Sequence, residues 1–283
     1  MTASTTPKPR FGGCLPLCAI LLLAAGLRFW GLNHGLPFVM GRPDEIEALE
    51  KTVLFPQGDL NPRWFVYPNL FFWVIWLWEE LCLGLRRLVV DVPAYDILVR
   101  EQMALLIAQG RVLSALVGTA TVGVVWWIGR RLEGRTVAWL AALLLATNFL
   151  HIRDSHALKA DVPLTFSVPI VLWLLARYAE APSLRRARWA GLAIGVSTAL
   201  KYPGVLLLLP AWHATIIAAP HRGWRRWLPN RTLVEIGVVS MLTFVALSPF
   251  LLIDTARLVA TFTFSVKAVY GMRPQFVPKP GSS

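Results

Sequence analysis

Long apolar runs separated by short arginine-rich breaks constrain this chain more than any other feature. Met103 to Ile128 is the clearest run and closes on Arg130, Arg131 and Arg135. At about 1.5 Å of rise per helical residue it can cross the roughly 30 Å of a bilayer's hydrocarbon core. Comparable runs lie at Cys14–Leu32, Val137–Ile152, Val162–Ala176, Trp189–Leu200, Val205–Ala219 and Thr232–Ile253. Only 16% of the residues are charged and 56% are hydrophobic, whereas soluble domains carry roughly a quarter charged residues. The expected fold class is an all-α polytopic membrane protein. Cys14–Leu32 could be a cleaved signal sequence, but no small-x-small site follows its apolar core cleanly, so a retained anchor is expected.

The net charge of +12 does not point to nucleic acid, because the basic residues sit in short loops and no basic arm, RNA-binding motif or zinc spacing is present. The segments 1–12, 130–135, 177–188 and 220–231 hold thirteen Lys or Arg against two acids, Glu133 and Glu180. By the positive-inside rule these are the cytoplasmic loops. Eight of the sixteen acids fall in 33–66, 153–161 and 254–283, which would face outside. Cys14, Cys18 and Cys82 lie in or beside apolar runs, so neither a disulfide framework nor a cysteine metal site is expected.

One segment decides the topology. From Pro68 the apolar run reaches only Trp78 before Glu79-Glu80, then Arg86-Arg87, an uninterrupted length of roughly 16 Å. If 68–83 crossed, Asp44 and Asp161 would end on opposite faces and the 130–135 arginines would lie outside. A partial helix that dips in and returns removes both conflicts. The expectation is therefore about seven transmembrane helices plus one partial helix, with the N-terminus inside. The module covers 1–255, with 33–66 as its first outer loop. A short outer tail, 256–283, is expected to be truncated, with a partner chain as one way to complete the module.

Two acidic stretches then share the outer face, GRPDEIEALE (41–50) and HIRDSHALKAD (151–161). Pro43 suits the first turn of a helix running to about Phe55, and Asp44, Glu45, Glu47 and Glu50 complement its positive end. The candidates for chemistry are Asp44, Glu45 and Asp161 as carboxylates, with Arg42, Tyr67, Asp154, His156, Lys159 and Lys201 around them. Lys201 follows a short helix and would sit below the outer surface, where an ionisable group is costly and usually functional. Asp154 and His156 could be solvated loop residues, Asp161 only a helix cap, and Lys201 a snorkelling lysine. Together they suit transfer from an anionic, membrane-held donor: a carboxylate takes a proton from an acceptor hydroxyl and cations stabilise a departing phosphate. No phosphate-binding glycine motif supports a nucleotide cofactor. A divalent cation is compatible with the Asp and His residues, but no spacing demands it.

RPDE (42–45), Tyr67-Pro68, the stretches 110–135 and 143–166, and AGLAIGVSTALKYPGVLLLLP (190–210) together resemble the N-terminal module of GT-C glycosyltransferases. The subgroup is the protein O-mannosyltransferase and aminoarabinose transferase-like superfamily. Where many members carry His-Pro-Pro or Lys-Pro, this chain has Tyr67-Pro68. The resemblance implies inverting transfer of a sugar from a polyprenyl-phosphate carrier to a protein, lipid or glycan acceptor. It also implies a bacterial inner membrane, with the site on the periplasmic or outer face. It makes Asp44 the general base or acceptor-positioning carboxylate, supported by Glu45. Asp161, Asp154 and His156 would form a second acidic motif, and Lys201 a phosphate contact. The alternatives are a transporter or lipid flippase, which would show inverted repeats and broken midplane helices, and a non-catalytic transferase module.

Overall fold

The computed structural model describes residues 14–219 and 224–269. The expected cytoplasmic segment 1–12, residues 220–223 of the last basic loop and the tail from 270 lie outside the described residues. Among those described, all regular structure is helical. In chain order the helices are α1 (Cys14–Phe29), α2 (Pro43–Glu50), α3 (Asn69–Arg87), α4 (Tyr95–Glu101), α5 (Met103–Leu132), α6 (Arg135–Ala146), α7 (Phe149–Ser155), α8 (Asp161–Glu180), α9 (Leu184–Leu200), α10 (Leu208–Ile217), α11 (Arg231–Leu247), α12 (Phe250–Ile253) and α13 (Thr255–Val269). By length and composition α5 and α8 can each cross a membrane, and the bent pair α6–α7 makes a third crossing if taken as one. The helices at 16–29 and 202–217 are apolar but shorter.

The helix directions follow from side-chain neighbours. Leu21 approaches Gly123 and Arg28 approaches Gly118, so α1 runs antiparallel to α5. Leu158 packs on Gly110 and the rings of Trp127 and Trp173 lie 4.8 Å apart, so α8 runs parallel to α5. The α8–α9 pair is antiparallel: Lys201 meets Asp161 at one end, and Arg186 donates to the Arg177 carbonyl at the other. Gly191 and Gly195 let α9 lie on the backbone of α11. A Cβ at these positions would come within 2.7 Å of the Ile236 carbonyl and 2.5 Å of the Ser240 carbonyl, so α9 and α11 are parallel and packed through small residues. One end of the bundle collects Arg130, Arg131, Arg177, Arg185, Arg188 and Arg231, and the other receives Asp44 and Asp161.

A second layer caps the acid-bearing end. Phe55, Phe71, Phe72, Ile75, Leu83, Tyr95 and Leu98 are all but inaccessible to solvent and share one cluster with Leu106, Ile107 and Leu158. Burying each large side chain contributes roughly 1.5–3 kcal/mol, which is why a proline-rich loop can be held as a defined surface.

Three local expectations are corrected. First, α2 stops at Glu50 rather than near Phe55. Thr52 there donates its hydroxyl to the Leu49 carbonyl and pairs with the Tyr95 hydroxyl at 2.8 Å, local bonding that competes with the helical ladder. Second, α3 runs past the expected partial helix 68–83 to Arg87. Glutamate is a good helix former, and the α3 residues from Phe71 to Leu83 pack into the cap cluster. Third, 137–152 is not one straight helix. α6 and α7 meet at 57°, with Asn148 capping α7 by accepting from the His151 N–H at 2.9 Å. The carbonyls of Leu145 and Ala146, at the end of α6, accept from the buried Arg28 guanidinium, both at 3.1 Å. The residues after Asp254 form α13.

Candidate active site

Asp44 and Glu45 are consecutive in the first turn of α2, yet they point to different surroundings. Asp44 is exposed, with 56% of its side chain accessible. Glu45 is fully buried and makes three hydrogen bonds. Its Oε1 accepts from Arg111 Nε at 2.9 Å and from the Leu158 N–H at 2.9 Å, and its Oε2 accepts from Arg111 Nη2 at 2.7 Å. Arg111 Nη1 also donates to the carbonyls of Leu32 and His34. A buried ion pair is tolerated only when geometry and extra hydrogen bonds offset desolvation, and both partners here are bonded on several sides. The 33–66 loop, α5 and the residues before α8 are thereby tied at one point. The Arg42 side chain donates to the His156 carbonyl at 2.6 Å, a second tie.

These ties bring the two acidic stretches together. Lys159 Nζ stands 3.8 Å from Asp44 Oδ2. Asp161, in the first turn of α8, turns its carboxylate to Lys201 Nζ at 2.5 Å rather than capping its own helix. The Lys201 ammonium lies 5.9 Å above the Tyr67 ring, a cation–π distance. Tyr67 rests against Trp64 and Phe71. Burial, and after it the charges of Asp44, Asp161 and Glu47, push its phenol up to about 12, so it is a neutral hydrogen-bond donor near neutral pH. Tyr202 donates to the Phe65 carbonyl at 2.9 Å, fixing the turn after Lys201 to the loop that carries Tyr67. Asp44, Tyr67, Lys159, Asp161 and Lys201 thus form one polar cluster.

The remaining candidates lie beside it. Arg42 and His156 border a neighbouring cavity of about 340 Å³ with Trp30, His34 and Arg111. The His156 Nε2–H donates to the Leu27 carbonyl at 3.1 Å. Burial, and after it the nearby Arg42, Arg28 and Arg111 charges, hold its imidazole below the ordinary range, against the opposite pull of that hydrogen bond. Asp154 is paired with its neighbour Arg153 at 2.8 Å and is not drawn into the cluster. Among the described residues no three His, Cys, Asp or Glu side chains are grouped as metal ligands.

Arg111 is the residue that sequence reasoning did not single out. Its signal was present: an arginine inside an otherwise apolar span implies a buried partner. Arg28, near the end of the first apolar run, is a second instance.

The arrangement offers an exposed carboxylate, two ammonium groups and a phenol at the same end of a helical bundle. That chemistry suits deprotonating a hydroxyl and holding an anionic leaving group. No curated protein and no solved structure matches the chain significantly. A family model does match, that of dolichyl-phosphate-mannose-protein mannosyltransferases, over residues 102–253. The matched region contains Arg111, Lys159, Asp161 and Lys201, and it begins after Asp44, Glu45 and Tyr67. Helical architecture, apolar spans and a match over more than half the chain agree, and the chain belongs to the dolichyl-phosphate-mannose-protein mannosyltransferase family of GT-C-type glycosyltransferases.

Proposed function

We propose that this chain transfers a sugar from a polyprenyl-phosphate carrier to an acceptor hydroxyl on the non-cytoplasmic face of a bacterial inner membrane. In this reading the acceptor oxygen attacks the anomeric carbon as the bond from that carbon to the phosphate oxygen breaks. The hydroxyl proton passes to Asp44, the bonding pair leaves with polyprenyl phosphate, and the anomeric configuration inverts. Lys159 and Lys201 are placed to offset the phosphate charge, Asp161 holds Lys201, and Glu45 positions the loop that carries Asp44. Arg42 and His156 border the approach from the adjoining cavity.

The observation that carries the reading is the convergence of Asp44, Tyr67, Lys159, Asp161 and Lys201 at the end of the bundle opposite its arginines. The same charge division supports seven crossings, by α1, α5, α6–α7, α8, α9, the 202–217 segment and α11, with α3 held in the outer cap. The test is direct. Membranes containing the chain, supplied with a polyprenyl-phosphate sugar, should release polyprenyl phosphate. Asp44→Asn should lower that rate by about 10²–10⁴-fold, the usual contribution of a general base, without changing the melting temperature. Equal rates for the two proteins would remove Asp44 from the chemistry.

A further inference from the structure

The arginine end of the bundle holds a cleft that the transfer reaction does not use. Where α9 and α11 begin, Arg185, Arg188, Trp189, Leu192 and Val239 line a cavity of about 370 Å³. The two helices are parallel, and their residues fall into levels. Trp189 follows Arg185 by four residues, Leu192 follows Arg188, and Val239 follows Glu235, so each charged group has an aromatic or apolar group one turn, roughly 5–6 Å, further along. The cleft is charged at its mouth and apolar beneath.

Among the described residues the protein neutralises only part of this charge. Arg188 Nε donates to Glu235 Oε1 at 2.7 Å, a bond that leaves both of its terminal nitrogens unused. Among the described residues no acid pairs with Arg185. The neighbouring arginines are engaged elsewhere, Arg177 with Glu180 and Arg186 with the carbonyls of Arg177 and Ala181. Trp189 is half exposed, as suits an indole at a membrane interface. A soluble anion would leave Leu192 and Val239 uncovered, and a zwitterionic lipid would bring a cation of its own beside the unpaired charge of Arg185. An occupant with a phosphate above and hydrocarbon below satisfies both.

We infer that this cleft binds an anionic phospholipid of the leaflet at the arginine end, its phosphodiester between Arg185 and Arg188 and its acyl chain along Leu192 and Val239. The site is separate from the proposed donor site: the 17 residues of α9 place roughly 25 Å between its start and Lys201. The inference rests on α9 and α11 lying in a membrane, not on transferase activity.

The test is lipid retention, measured without any sugar donor. The full chain is reconstituted in phosphatidylcholine containing a minor fraction of phosphatidylglycerol, and the lipids that stay bound are counted by native mass spectrometry. The wild type should retain phosphatidylglycerol in preference to phosphatidylcholine. At about 1 kcal/mol per basic residue near a lipid surface, the Arg185→Ala, Arg188→Ala double variant should bind it about 30-fold more weakly. Arg177→Ala, at the same end but outside the residues that line the cleft, should change retention by less than about threefold. Charge reversal by Arg185→Glu alone, at an exposed position with no acidic partner among the described residues, should also lose the lipid while leaving the melting temperature in pure phosphatidylcholine unchanged. Retention in Arg185→Glu equal to wild type, or equal retention of both lipids by the wild type, would overturn the inference.

Discussion

Glu45 is the one carboxylate of the stretch 41–50 that is fully buried, and its fate depends on Arg111. Removing one member of a buried pair leaves the other charged and unmatched, at a cost of about 3–5 kcal/mol. Arg111→Met should therefore lower the melting temperature sharply in detergent. Glu45→Leu added to Arg111→Met should recover much of the loss, and a double variant as unstable as the sum of the singles would show that the pair is not coupled. His156 makes a different prediction. Its imidazole titrates below the ordinary value near 6.5, so the fold favours the neutral ring. Its contribution is fully present above the unfolded pKa and is lost as pH falls through the folded one. Thermal stability should decline below about pH 6.5, and His156→Gln should flatten that part of the profile. An unchanged slope would exclude the ring as its source. At this scale the sequence was legible in part. An acidic helix start and a lysine at a helix end can be read from residue order, although the helix before Lys201 begins at Leu184 rather than at the expected Trp189. Which of two adjacent acids faces solvent cannot, because that is decided by Arg111, 66 residues further along.

Helices raise the question of where small residues are required and where they are incidental. Gly195 faces the Ser240 carbonyl and the Thr243 side chain at 2.5 Å from an added Cβ, whereas Gly237, in the neighbouring α11, has nothing within 4 Å. Gly195→Val should push α9 from α11 and destabilise by about 1–3 kcal/mol or more, since backbone cannot yield as a side-chain tip can. Gly237→Ala should stabilise by up to about 1 kcal/mol, the helix-propensity difference between the two residues. Opposite shifts in melting temperature are the expected result, and shifts of the same sign would contradict the packing described. The small-residue pattern of 191–197 is legible as close packing, because it lies on one helix. The 57° break between α6 and α7 is not, since Thr147 and Asn148 sit in an otherwise apolar run and the Arg28 that serves the broken end comes from α1.

For the molecule as a whole, the division of charge between the two ends of the bundle is the ground for the proposed orientation. In a chain freed of its native cysteines, Gln57→Cys and Arg153→Cys should both react with a membrane-impermeant thiol reagent from outside. Glu133→Cys should react only after the membrane is opened. All three positions are exposed, so labelling of Gln57 and Arg153 from opposite sides would refute the orientation. The helical class and the meeting of the two acidic stretches were readable from apolar length and loop charge, because both express the cost of placing polar groups in hydrocarbon. The cap was not, because its cluster joins residues from 48 to 160 through contacts that no local periodicity records.

The clasp at Glu45 also bears on the order in which the protein is made. Its partners, the Arg111 side chain and the Leu158 N–H, lie 66 and 113 residues downstream. Asp44 and Tyr67 leave the ribosome long before anything exists to hold them, and closing so long a loop brings no gain until its far end arrives. The loop that carries Asp44 and Tyr67 should thus remain open to an external protease in nascent chains shorter than about 160 residues and become protected once Leu158 has been delivered. Protection in the shorter chains would mean that the loop folds alone. A half-made chain, on this view, has the carboxylate proposed for catalysis but not the setting in which it can act.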